Sequence, residues 1–167
     1  MNDIRHPEFI FTMMALLNPK SYLELGLYVG ETFEKICTIV PFCVGVDIKD
    51  VRTNKEIGVF YKMTTDEFFA MNKEKFDVIF IDADHRHKSV YEDLKNALES
   101  LTPFGTIFLH DTDPINPSYY SVGYCGDAYK ILDDVQMLGL DAITFPISNE
   151  GITIIRRKTD RRVLKCL

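Results

Sequence analysis

The sequence predicts an α/β fold, a doubly wound, mostly parallel seven-stranded sheet that ends in an antiparallel hairpin. Three patterns carry this expectation. Short apolar runs without polar alternation recur along the chain, as expected for strands covered on both faces. Segments with apolar residues at helical spacing stand between them. The last two strand-like runs have no helical pattern between them, so they should pair as a hairpin.

The elements follow in order. Phe9, Ile10, Met13, Met14 and Leu17 recur at helical spacing after Pro7, and Asn18 with Pro19 makes a stop. Ser21 to Leu25 reads as a buried strand running into Gly26, and Phe33, Ile36, Cys37 and Val40 mark the apolar face of the next helix. Cys43 to Asp47, Gly58 to Tyr61 and Phe76 to Ile81 read as three further strands. Val90, Leu94, Ala97, Leu98 and Leu101 give the clearest amphipathic helix, followed by a strand from Gly105 to Leu109. Ala128, Ile131, Leu132, Val135 and Leu138 repeat the helical period before the two closing strands, Ala142 to Phe145 and Gly151 to Ile155. Between Asp47 and Gly58 there is little room for the usual crossover helix, which should be one turn or lost.

At 167 residues the chain suits one domain, with no repeat or linker-like composition to divide it. Its expected parts are an N-terminal helix (1–20), a ligand-binding core (21–112), a loop (113–126) and a C-terminal helix and hairpin (127–167). A net charge of -6 argues against broad attraction to nucleic acid or anionic membranes. Arg156, Arg157, Lys158, Arg161, Arg162 and Lys165 form a local basic cluster, read as a solvated tail, with a nucleic-acid contact as the alternative. Cys37, Cys43, Cys125 and Cys166 form no CxxC pair and have no His at zinc spacing, which points to reduced thiols and a cytoplasmic protein. No apolar run approaches the roughly 20 residues that cross a bilayer.

In doubly wound sheets ligands bind at the carboxyl ends of the strands, beside the switch in strand order. The first strand ends in Glu24, Gly26, Tyr28 and Gly30, a glycine-bent turn into a helix. Tyr28 stands where a dinucleotide fingerprint needs its second glycine, so a pyrophosphate is not expected. Asp47 ends the second strand about 20 residues on, where a carboxylate accepts from ribose hydroxyls. A turn or cap role is the alternative for Asp47.

These strand ends, with Asp82, Asp84 and His85 after the fourth strand and His110, Asp111 and Thr112 after the fifth, resemble the class I S-adenosylmethionine (SAM)-dependent methyltransferases. Within that class they resemble the branch of catechol-type and sugar or antibiotic O-methyltransferases, over roughly Ser21 to Thr112. The resemblance implies a Rossmann-like methyltransferase fold and SAM as cofactor. It places Glu24 toward the methionine ammonium group, the Gly26 to Gly30 loop, Tyr28 included, under the amino-acid and ribose portions, and Asp47 on the ribose. Thr65 and Asp66 match a position that meets adenine, or cap the following helix, and Asp82 belongs with the cofactor set.

Methyl transfer is an in-line displacement that needs alignment and exclusion of water. A hydroxyl acceptor also needs a base or a metal that lowers its pKa. In the catechol-type relatives carboxylates matching Asp82 and Asp111 bind magnesium. Here Thr112 stands where an Asn ligand is expected, with Asp113 one position on, so magnesium is a hypothesis on two ligands. His85 falls where those enzymes place a lysine and is the expected base, with His110 supporting or orienting the acceptor. His6 and His87 are read as solvated.

The 113–126 stretch, with Tyr119, Tyr120 and Tyr124, is expected to be an ordered loop over the pocket that contacts a small-molecule acceptor. Without an inserted cap, the acceptor site falls to the N-terminal helix, this loop, or a partner subunit in a homodimer. Two other readings stay open: a non-catalytic binding protein of the same fold, disfavoured by the two strand-end Asp and His sets, and a nicotinamide-dependent oxidoreductase, disfavoured by Tyr28.

Overall fold

A computed structural model of the chain describes residues 5–121 and 123–158. Strands β1 (Ser21–Leu25), β2 (Phe42–Asp47), β3 (Val59–Lys62), β4 (Phe76–Ile81), β5 (Leu101–His110), β6 (Asp141–Phe145) and β7 (Ile152–Arg156) alternate with helices α1 (His6–Leu17), α2 (Glu31–Ile36), α3 (Thr65–Met71), α4 (His87–Ser100) and α5 (Ile131–Met137). Among the described residues they build one seven-stranded sheet in the order β3-β2-β1-β4-β5-β7-β6. All neighbours are parallel except β7, which runs antiparallel to both β5 and β6. The expected architecture is the observed one. Strand order reverses between β1 and β4, so a crevice opens where their carboxyl ends diverge.

The unalternated apolar runs are explained by the two layers that cover the sheet. Leu23, Leu25, Val44, Val46, Ile79 and Ile81 face α3, α4 and α5, where Phe68, Leu94, Ala97 and Ile131 meet them. On the other face Tyr22, Val78, Phe80 and Phe108 pack against Ile10 and Met14 of α1 and Phe33 and Ile36 of α2. Each such side chain taken fully from water contributes about 1.5–3 kcal/mol.

Boundaries differ from the sequence reading where local chemistry overrides periodicity. β5 begins at Leu101, four residues before Gly105, because Leu101 pairs with Phe76 and the ladder resumes only at Val78 and Thr106. Pro103 cannot donate to a ladder, which is consistent with the irregularity falling there. Gly105 is needed because the Leu101 side chain folds onto it, leaving 2.6 Å for any Cβ. α3 is capped by Thr64 rather than Thr65 or Asp66: the Thr64 hydroxyl accepts from Glu67 N and the Glu67 carboxylate accepts from Thr64 N, a capping box.

The second crossover has no helix, as its length implied. Residues 48–58 instead wrap Arg52, whose guanidinium donates to the Asp50 carboxylate and to the carbonyls of Lys55 and Ile57 and lies 4.6 Å over the Phe60 ring. The side chain is 8% exposed and holds Asp50 well below the usual carboxylate range. Arg52 thus performs the backbone satisfaction that a helix would have supplied.

Two surface readings change. Arg156 and Arg157 are not in a solvated tail: they donate to the carbonyls of Phe104, Thr102 and Leu98, tying β7 to the start of β5 and the end of α4. Arg161, Arg162, Lys165 and Cys166 lie outside the described residues. His87 is paired rather than solvated, with Nε2 2.6 Å from Asp134. No helix among the described residues is long and apolar enough to cross a membrane. Because Arg52 is buried and its partners would be left unmet, Arg52→Ala is expected to lower unfolding free energy by about 2 kcal/mol. Urea denaturation checks this, and an unchanged midpoint would show the loop to be self-supporting.

Candidate functional site

Gly26 sets the crevice. Its φ of +81° is open to glycine, and a Cβ there would stand 2.2 Å from the Asp82 carbonyl oxygen. The turn is pinned on both sides, with Gly26 N donating to Val46 O at 2.9 Å and Asp82 N donating to Leu25 O at 2.8 Å. Gly30, at φ +80°, turns the chain into α2. Tyr28 also takes a left-handed conformation, at φ +49°, and its side chain is 84% exposed, on the outside of the loop.

Asp47 closes the loop from the β2 side. One carboxylate oxygen accepts from Leu27 N at 2.7 Å and the other from Lys49 N at 2.8 Å. Each oxygen keeps lone-pair capacity, so the group remains able to accept from two further hydroxyls. Beside it opens a cleft of about 780 Å³ whose lining includes Gly26, Asp47, Thr65, Asp66, Asp84 and His85. That volume suits a nucleoside-sized ligand. Glu24 is not on this lining. It is buried under the floor, where the Tyr22 hydroxyl donates to it at 2.6 Å. Burial lifts its carboxyl well above the usual range; Tyr22 opposes this and Asp82 and Asp47 add to it.

At the ends of β4 and β5 two histidines and two carboxylates converge. His110 Nδ1 lies 3.1 Å from Asp82 Oδ1 and 3.3 Å from Asp111 Oδ1, and Nε2 lies 3.4 Å from Glu150. Burial alone would depress the imidazolium, but Asp82 and Asp111 outweigh it and raise His110 well above its usual value. The same partnership counters the burial of Asp111 and holds it below the carboxylate range. Asp111 sits at φ +62°, a sparsely populated conformation for a non-glycine residue, which the surrounding contacts maintain. His85 Nδ1 faces the Tyr124 carbonyl and, at 3.3 Å, Asp111 Oδ2. His6, expected to be solvated, is half-buried with its ring 4.5 Å from that of His110.

Asp82, His85 and Asp111 bring three ligand atoms within 4.8 Å of one another. They do not make the all-oxygen set that magnesium prefers. Three of the four carboxylate oxygens face an imidazole nitrogen. Thr112 is buried and its hydroxyl accepts from Thr153 at 2.8 Å, and Asp113 is exposed and packed on Gly151, so neither completes the set. The residues present therefore do not fit magnesium.

The described residues of the 113–126 segment close on His85 at the edge of the cleft and are not themselves on its lining. Tyr124 offers its carbonyl to the ring, Asp127 N donates to His85 O at 3.1 Å, and a Cβ on Gly126 would stand 2.3 Å from that oxygen. Tyr120 and Tyr124 remain exposed. Tyr91 and Lys95, which stand at Tyr-x-x-x-Lys spacing on α4, are not on the cleft lining either.

Residues 45–112 match the family model described as a methyltransferase domain, a stretch that includes Asp47, Asp82, His85, His110 and Asp111. No curated protein matches the chain significantly. Among solved structures, the chain is similar to a Staphylococcus aureus protein provisionally named a caffeoyl-CoA O-methyltransferase, with TM-score 0.75 and 15% identity over 95% of this chain and 85% of that one. It is similar to an SAH-bound methyltransferase from Podospora anserina (TM-score 0.71, 19% identity, 92% and 78% covered). It is also similar to an O-methyltransferase from Streptomyces achromogenes involved in tomaymycin synthesis, solved with SAM (TM-score 0.68, 13% identity, 92% and 79% covered). The resemblance read from the strand ends thus extends to the whole fold.

Asp93 belongs to no motif in the sequence, although it stands three residues after Val90, inside the apolar stripe of α4. It is 2% exposed, lines the inner end of the cleft, and meets the Thr65 hydroxyl. Burial, with Asp66, Asp84 and Glu92 adding repulsion and Thr65 opposing, lifts its carboxyl from 3.8 to about 6. A folded-state pKa above the unfolded one means that stability is full below about pH 4 and falls as pH rises through about 6. Asp93→Asn removes that loss, so it is expected to be more stable than the parent by about 3 kcal/mol at pH 7.5 and nearly equal at pH 4. Paired unfolding curves at the two pH values measure the difference, and a variant no more stable at pH 7.5 would contradict the assignment.

Proposed function

We propose that this chain is a SAM-dependent methyltransferase acting on a hydroxyl group of a small molecule. The observation that carries the reading is the Asp47 carboxylate, held beside the Gly26 turn at the switch in strand order, over a cleft of nucleoside size. The methyltransferase-domain match and the similar SAM- and SAH-bound folds support it. In this reading Asp47 accepts from the ribose hydroxyls, the 26–30 loop lies along the amino-acid portion, and Thr65 and Asp66 flank the base. Glu24 acts from below, through its hydrogen bond with Tyr22 in the floor. The chain works as a single domain in the cytoplasm, with 113–126 and α1 framing the acceptor. A homodimer partner is a further source of acceptor-site walls.

Bound SAM supplies a methyl group on a sulfonium centre. The chain's own residues align the acceptor with that carbon and remove the acceptor's proton. His85 is placed for the proton. A ring hydrogen on Nδ1, directed at the Tyr124 carbonyl and Asp111, leaves the lone pair on Nε2, and the residue is on the cleft lining. His110, with Nδ1 between Asp82 and Asp111, is turned toward those carboxylates and fixes the one that orients His85.

Calorimetry with SAM, its demethylated product and NAD tests the cofactor: SAM and the product should bind and NAD should not. Asp47→Ala is expected to weaken SAM binding at least tenfold, about 1.4 kcal/mol, and undiminished binding would remove the basis of the reading. Over an acceptor panel, His85→Ala should cut methyl transfer by a factor of about 10²–10⁴ with SAM affinity retained. Full turnover by that variant would reassign the base.

A further inference from the structure

We propose that His6, His110 and Glu150 form a three-ligand site for a divalent first-row transition cation of the zinc class. The site is distinct from the cofactor cleft and does not depend on the methyltransferase reading. Its ligands come from the start of α1, the end of β5 and the turn between β6 and β7.

Each of the three residues offers one ligand atom, and these atoms lie within 4.8 Å of one another. The His110 Nε2 to Glu150 Oε2 separation is 3.4 Å. Tetrahedral zinc with nitrogen and oxygen bonds near 2.0–2.1 Å needs ligand-to-ligand edges of about 3.3 Å. One edge is therefore already formed, and a rotation of the His6 ring, which packs edge-on to His110, brings in the third ligand. Two imidazole nitrogens with one carboxylate select a borderline transition cation over magnesium or calcium.

A second observation points to a ligand. His110 is 7% exposed, and both of its ring nitrogens are buried without a hydrogen bond, although acceptors stand nearby on either side. A buried polar atom without a partner is costly, so its place in the fold asks for a reason. A cation on Nε2 provides one. The opposite nitrogen, Nδ1, then faces Asp82 at 3.1 Å and Asp111 at 3.3 Å, the carboxylate backing that orients a metal-bound imidazole.

The turn that carries Glu150 is built tightly against the segment that follows β5. Asp113 N donates to Glu150 O at 2.8 Å, Ile115 N donates to Asn149 O at 2.9 Å, and Gly151, at φ +80°, has only 2.4 Å between a built Cβ and that of Asp113. Glu150 is thereby held at the His110 ring. Three protein ligands leave a fourth position for water or for an oxygen of a small molecule.

The test uses the full chain stripped with a chelator. Zinc titrated calorimetrically should bind with one equivalent, and cobalt should give the intense visible absorption of a four-coordinate site. Both His6→Ala and Glu150→Gln should weaken zinc binding at least tenfold and abolish the cobalt bands, with His85→Ala and Asp113→Asn unchanged. Circular dichroism establishes that the variants fold, and the near-isosteric Glu150→Gln carries the test if His6→Ala does not. No zinc binding by the stripped protein would overturn the proposal. So would binding lost in His85→Ala yet kept in Glu150→Gln, which would move the cation to the Asp82–His85–Asp111 group. SAM binding, measured separately, is unaffected by either result.

Discussion

The carboxyl edge of this sheet gathers Glu24, Asp47, Asp82, Asp84, Asp93, Asp111 and Glu150 into one region, and their mutual repulsion is the constraint on which the site turns. Each relieves it differently. Glu24 and Asp93 take up protons more readily because burial disfavours their charge. Asp47 directs its charge at two backbone amides. Asp84 is held below the usual range mainly by Arg86, with Ser89 also donating to it. Asp111 is held below the usual carboxylate range by His110, whose Nδ1 stands between it and Asp82. The histidine is structural electrostatics first.

That arrangement separates the chain from a plain copy of the catechol-type site. Two carboxylates at the ends of β4 and β5 are present, but imidazole nitrogens occupy the directions from which they would grip a hard cation. The fold is therefore shared with the similar structures, whereas the chemistry must be argued from these side chains. His85, oriented through Asp111 and the Tyr124 carbonyl, is the residue to which the proposed reaction assigns the acceptor's proton.

Much of this is legible in the sequence, for physical reasons. The strands with two covered faces read as continuous apolar runs, and α4 as a clean stripe, so element type and order can be read directly. Gly26 and Asp47 are legible as a glycine-bent strand end followed, on the next strand end, by a carboxylate, and the fold joins the two through Leu27 N. What escapes are interactions between residues distant in the chain. Arg52 replacing a helix, Arg157 reaching Leu98, and His87 meeting Asp134 have no local signature. His6 looks like a terminal solvated residue until α1 packs it on His110. Asp93 does leave a trace, a charge inside an apolar stripe, which is the pattern of a buried titratable group. The Thr64 cap falls one residue from its expected place because consecutive threonines offer the same signal.

The antiparallel insertion of β7 has a consequence for how the chain comes off the ribosome. β5 is an apolar strand with β4 on one side, and on the other side it waits for a partner synthesised more than forty residues later. Until Ile152–Arg156 emerges and slides between β5 and β6, a hydrophobic edge with unpaired amides is open to any other strand, including that of a neighbouring nascent chain. The vulnerable moment in biogenesis is thus the same one that delivers Glu150 to His110. Completion of the sheet and completion of that corner of the molecule are a single event.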